Sequence, residues 1–122
     1  DGKTVFWIKM GGTMRLGLRK TIFTLPQNTA TPTMASTIYG NQDGVDERHR
    51  HRYEVNPEYV ETLEKAGLRF TGVDDRGERM EIIELDQKMH PFFFATQFHP
   101  EFMSHPHSPS PPFVAFMKAS MP

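Results

Sequence analysis

The rhythm of apolar and polar residues changes several times along the chain, and each change marks an expected element. Val5-Phe6-Trp7-Ile8 is an isolated apolar patch, either an edge strand or a loop segment folded onto a core. From Met10 to Gly17 apolar and polar residues alternate between glycines, the pattern of a short strand with a turn at each end. Arg19 to Leu25 carries Ile22, Phe23 and Leu25 and is expected as the partner strand of a hairpin. Residues 26–37 are dense in Thr, Pro, Asn and Ser, which predicts a loop or a surface insertion.

The second half is punctuated more sharply. Asn56 followed by Pro57 is a helix start, because an Asn side chain can accept an orphan N–H and proline fits the first turn. Tyr59, Val60, Leu63 and Ala66 then recur at helical spacing, with acids in the first turn, Lys65 in the last and Gly67 as the stop. Leu68 to Val73 and Arg79 to Leu85 read as two strands joined by the charged turn from Asp74 to Gly77. Phe92 to Phe98 is almost continuously apolar and predicts a strand buried on both faces. After a proline-rich stretch the chain ends in a short helix with Phe113, Phe116 and Met117 on one side. Strands, helix, strands, helix is the order of an α/β fold.

Composition narrows the function classes. A chain of 122 residues supports one modest core and not two independent domains. Apolar residues at 37% and charged residues at 24% suit a globular piece rather than a disordered tail. The net charge of −1 gives no field that would draw in nucleic acid or an acidic membrane surface, so neither partner is expected. No apolar run approaches the roughly 18 residues that cross a bilayer, and no signal peptide opens the chain, so a cytoplasmic location is expected. Cysteine is absent, which excludes disulfides, thiolate metal sites and a cysteine nucleophile within these residues.

Two stretches could carry chemistry. In Gln97-Phe98-His99-Pro100-Glu101-Phe102 an apolar strand gives way to an imidazole, a proline and a carboxylate. Strand ends in α/β sheets are where ligands bind, and Pro100 fixes the backbone so that His99 and Glu101 can project towards one site. A carboxylate beside an imidazole holds its tautomer and stabilises the imidazolium, the arrangement of an oriented general base. The plain alternative is a surface histidine with a glutamate nearby. In Glu47 to Asn56 three arginines alternate with two histidines. On an extended backbone Arg48, Arg50 and Arg52 share one face, and His49 and His51 share the other. The arginine forks suit a carboxylate or phosphates. The two histidines could ligate a metal only with further ligands, and no metal site is assigned. A solvated, salt-bridged strand explains the same pattern. His105 and His107 sit in a Ser/Pro-rich loop and read as exposed loop residues.

Taken together, MGGTMRLG (Met10 to Gly17), ERHRHRYEVN (Glu47 to Asn56), RMEIIEL (Arg79 to Leu85), HPFF, QFHPEF and PSPPF resemble the C-terminal part of the class I glutamine amidotransferase domain of CTP synthases. The resemblance runs from Met10 to the C-terminus; residues 1–9 remain an unassigned lead-in, and the 26–37 loop is longer than usual. FHPE alone is common to many class I amidotransferases, whereas its combination with MGGTMRLG and RHRHRYEVN is far more specific. The resemblance implies the C-terminal half of a three-layer α/β domain with a mostly parallel central sheet. It implies a Cys-His-Glu triad that releases ammonia from L-glutamine, with His99 and Glu101 as two members and the cysteine outside this chain. Arg52 matches the arginine that grips the glutamine α-carboxylate. No cofactor is implied for this chain. In the whole protein the resemblance implies a synthetase domain that uses ATP, Mg2+ and UTP to make CTP, and a homotetramer. Rival expectations are another class I amidotransferase, a γ-glutamyl hydrolase, or a non-catalytic module that kept the fold and lost the cysteine.

Overall fold

A computed structural model describes residues 8–24 and 33–122, of which residues 8–15 and Arg52 are described by backbone alone. The patch Val5 to Trp7 and most of the 26–37 segment therefore lie outside the described residues. In chain order the elements are β1 (Ile8–Phe23), α1 (Met34–Ile38), β2 (Gly44–Val55), a 3-10 turn at Pro57–Tyr59 running into α2 (Val60–Lys65), β3 (Arg69–Asp74), β4 (Met80–Glu84), β5 (Phe94–Thr96), a second 3-10 turn at Pro100–Met103 and α3 (Pro111–Ser120).

The strands make one sheet in the order β2-β1-β3-β4-β5, with every neighbouring pair antiparallel. This corrects the expected mostly parallel sheet. Parallel neighbours need a long crossover, usually a helix, between them. Here the helix-bearing connection from β2 to β3 could supply one, but β1 lies between those strands and pairs with both. The expected hairpin within residues 10–25 is also replaced. The chain runs on as the single strand β1, because Gly17 takes a φ of 84° inside the ladder while still facing His49. Thr21 to Phe23, the far end of the expected hairpin, pair with β2 or β3 on either side.

The helix signals hold. The Asn56 side chain accepts from Glu58 N–H at 3.0 Å, Pro57 opens the first turn, and Gly67 at φ 112° ends the run. The turn after β3 closes through Gly77 N–H to Asp74 O at 3.0 Å, with Gly77 at φ 73°. Within the 26–37 stretch the structure adds α1, capped by Thr33 Oγ1 on Ser36 N–H. The Glu84 carboxylate from β4 accepts Met34 N–H and Ala35 N–H at 2.7 and 3.0 Å at the start of that helix, and Thr71 Oγ1–H besides.

The sheet curls around a small apolar centre of Ala35, Tyr39, Ile82 and Phe98, with Phe23, Ile38, Val45 and Phe94 packed against it. Buried polar side chains outnumber buried apolar ones among the described residues, and some of them bond one another, as Tyr39 does to Glu47 and Thr71 to Glu84. β5 is shorter than the run of phenylalanines predicted, and Ala95 is exposed rather than buried. The reason is that residues 97–99 leave the plain ladder: Gln97 N–H still reaches Glu81 O of β4 at 2.8 Å, but His99 N–H reaches Arg48 O of β2 at 2.8 Å. Those two bonds, with the Arg79–Glu54 ion pair at 2.8 Å, bring the open ends of the sheet together. On α3 the expected apolar side is present, yet Phe113, Phe116 and Met117 are exposed. No helix among the described residues is long and apolar enough to cross a membrane.

Candidate active site

After β5, where backbone hydrogen bonding passes from β4 to β2, the backbone turns at His99. Pro100 occupies the first position of the following 3-10 turn and His99 its N-cap. Within that turn Glu101 comes back beside the residue two before it, and His99 Nδ1 lies 2.7 Å from Glu101 Oε1. A carboxylate oxygen can only accept, so Nδ1 carries the proton and Nε2 is left as the basic nitrogen. The Phe102 ring stacks on the imidazole at 5.0 Å and 18°, which limits its rotation. Partial burial pushes the Glu101 carboxyl up, but its own backbone N–H and then the His99 hydrogen bond and charge outweigh that and hold it below the ordinary range. Both side chains remain open to solvent, at 38% and 48% exposure, so another surface can reach Nε2. The pairing foreseen from spacing is therefore formed.

Beneath the dyad, β2 divides its side chains as alternation requires. Arg48 and Arg50 are exposed, while Glu47, His49 and His51 are buried on the inner face. Arg52 follows two residues after Arg50 on the same strand, and its side chain lies outside the described residues. His105 and His107 are exposed, as the loop composition suggested.

The inner face holds groups that sequence reading passed over. Glu47 Oε2 accepts the Tyr39 hydroxyl at 2.5 Å. Burial first, with repulsion from Glu101, keeps the Glu47 carboxyl above the ordinary range even though the Tyr39 bond opposes this. Burial and the same carboxyl push the Tyr39 hydroxyl far up as well. Further along, His51 Nδ1 meets Tyr53 O at 2.9 Å, and a carbonyl only accepts, so that nitrogen carries hydrogen. In the neutral ring His51 Nε2 then accepts from His49 Nδ1–H at 3.1 Å, and the Glu81 carboxylate faces the same nitrogen at 3.2 Å. One donor atom each from His49, His51 and Glu81 falls within 4.8 Å of the others, close enough for a metal ion in principle. The proton required on His49 Nδ1 makes a hydrogen-bonded relay the reading that fits the observed contacts. The available signal was the register: Glu47 shares the alternation that placed both histidines inside.

Comparison with known proteins gives the family. The family model for glutamine amidotransferase class-I matches residues 4–119. The chain belongs to the class I glutamine amidotransferase family. Within that family it is 56% identical over 111 residues to CTP synthase 2 of Xenopus laevis, covering 91% of this chain and 18% of that protein. It is 55% identical over 113 residues to CTP synthase of Archaeoglobus fulgidus, covering 93% of this chain and 20% of that protein. The amidotransferase chain thus spans about a fifth of the length of these curated relatives. Among solved structures, the glutaminase domain of Trypanosoma brucei CTPS with bound acivicin superposes with a TM-score of 0.77 at 41% identity, over 91% of this chain and 41% of that one. The α/β amidotransferase fold, with its curled sheet, is thereby established for this chain.

Proposed function

We propose that this chain supplies the His-Glu part of a Cys-His-Glu triad in a CTP synthase, where glutamine hydrolysis provides ammonia for ATP-dependent amination of UTP. The observation that carries the reading is the 2.7 Å contact between His99 Nδ1 and Glu101 Oε1 at a solvent-open strand end. The nucleophilic cysteine comes from residues outside this chain, which contains none. His99 Nε2 takes the thiol proton as sulfur attacks the glutamine side-chain carbonyl. The C–N bond breaks, the proton leaves with ammonia, and a thioester remains. Water, activated by the same nitrogen, releases glutamate and restores the thiol. Glu101 keeps Nδ1 protonated throughout, so Nε2 faces the reaction. Arg52, on β2, is the residue assigned to the α-carboxylate of L-glutamine, for which a planar fork is suited.

The partners in this reading are the cysteine-bearing half of the amidotransferase domain and a synthetase domain using ATP, Mg2+ and UTP, in a cytoplasmic homotetramer. The similarity to CTP synthases over nine-tenths of the chain supports it over other amidotransferases. The test separates the two ammonia sources. His99→Ala in the full-length protein is expected to lower glutamine-dependent CTP formation at least ~1,000-fold, the scale on which triad members act, while sparing formation from ammonium chloride. Loss of both activities together would make His99 structural and end the proposal.

A further inference from the structure

His99 is held from behind by two strands that are not neighbours in the sheet. Gln97 N–H is bonded to Glu81 O of β4, and His99 N–H to Arg48 O of β2, both at 2.8 Å. Between those anchors Phe98 turns inward, is 3% exposed, and meets the His49 ring edge-on at 5.8 Å. Glu81 supplies one anchor with its own carbonyl, and His49 is the residue next to the other anchor. Their side chains meet beneath Phe98, Glu81 Oε2 to His49 Nδ1 at 3.2 Å, with both side chains fully buried. His51 and the Tyr53 carbonyl extend the chain of contacts along β2, His49 Nδ1 lying 3.1 Å from His51 Nε2 and His51 Nδ1 2.9 Å from the Tyr53 carbonyl.

We propose that Glu81, acting through His49, is a positioning residue for the His99–Glu101 dyad: the buried contact ties β4 to β2 at the two backbone points that hold residues 97–99. This rests on the glutaminase reading above and deepens it. Glu81 touches neither substrate nor reacting atoms. It fixes where the imidazole stands, because moving either strand moves an anchor of the segment that carries it. Such an effect falls on the chemical step, since displacement of a catalytic group by about 1 Å can cost on the order of a hundredfold in rate.

The experiment uses the full-length protein with Glu81→Gln, which keeps the shape and puts an amide in place of the carboxyl group, and His49→Asn, whose amide N–H stands near the place of Nδ1. Three measurements are made: glutamine hydrolysis for kcat and KM, CTP formation from ammonium chloride, and hydrogen exchange of the Gln97 and His99 amides. Glu81→Gln is expected to lower kcat by between roughly tenfold and a hundredfold with KM within about twofold, and to leave ammonia-dependent activity intact. Exchange should accelerate at those two amides before the rest of the domain. His49→Asn should retain more kcat than Glu81→Gln. A loss carried by KM, exchange that is unchanged at Gln97 and His99, or acceleration spread evenly over the domain would each overturn the proposal. If the wild type hydrolyses no glutamine, the glutaminase reading fails by itself, and the exchange measurement still decides whether Glu81 holds the segment.

Discussion

At the level of single residues, the site is set by which groups the fold hides. His99 and Glu101 were legible because proline and a strand end constrain a two-residue spacing, and the structure joins them at 2.7 Å. Glu81 was not legible, and Glu47 was legible only through the alternation it shares with His49 and His51. A glutamate in an alternating strand looks like a solvent-facing residue, and only the curl of the sheet makes it buried. Glu47 shows what that burial does. With its folded pKa raised above the ordinary 4.5, chiefly by burial, it contributes stability that is present below about 4.5. That contribution is lost as pH rises through the folded value, because the unfolded chain ionises first. Glu47→Gln cannot ionise, and its side-chain oxygen can still accept the Tyr39 hydroxyl. Melting temperatures from pH 4 to pH 8 in the full-length protein should therefore show the variant gaining on the wild type as pH rises. A constant difference across that range would mean that folding leaves the Glu47 pKa unchanged.

Among the elements, the readable ones were those whose signals are local. Asn56-Pro57, Gly67 and the Asp74 to Gly77 turn all depend on residues a few positions apart, and all stand as read. The antiparallel sheet and the unbroken β1 depend on pairings between distant segments, which periodicity alone does not encode. The β3–β4 pair shows the same limit at close range. Its register slips on both sides of Gly72, and a Cβ placed there would come 2.6 Å from Ile82 Cγ1. Ile82 is fully buried at the apolar centre and has no room to withdraw. Glycine is thus needed at 72 for space rather than for backbone freedom. Gly72→Ala is expected to destabilise the domain by about 1–3 kcal/mol, the usual cost of overpacking a core. Chemical denaturation of the full-length protein would measure it, and a change below about 0.5 kcal/mol would show that Ile82 can move aside.

For the molecule as a whole, the exposed features fit the proposed reading of a half-domain. The His99–Glu101 pair is open to solvent, and Phe113, Phe116 and Met117 stand on the surface of α3. The chain spans about a fifth of the relatives it resembles, and the family assignment covers residues 4–119. The central claim is that His99 and Glu101 serve a glutaminase coupled to CTP synthesis. Glutamate release by the full-length protein, measured with and without UTP and ATP, tests it most directly. Release that rises sharply when both nucleotides are present is the predicted result. Release that ignores the nucleotides would assign the chain to a different amidotransferase, and no release under either condition would contradict a catalytic role for the dyad.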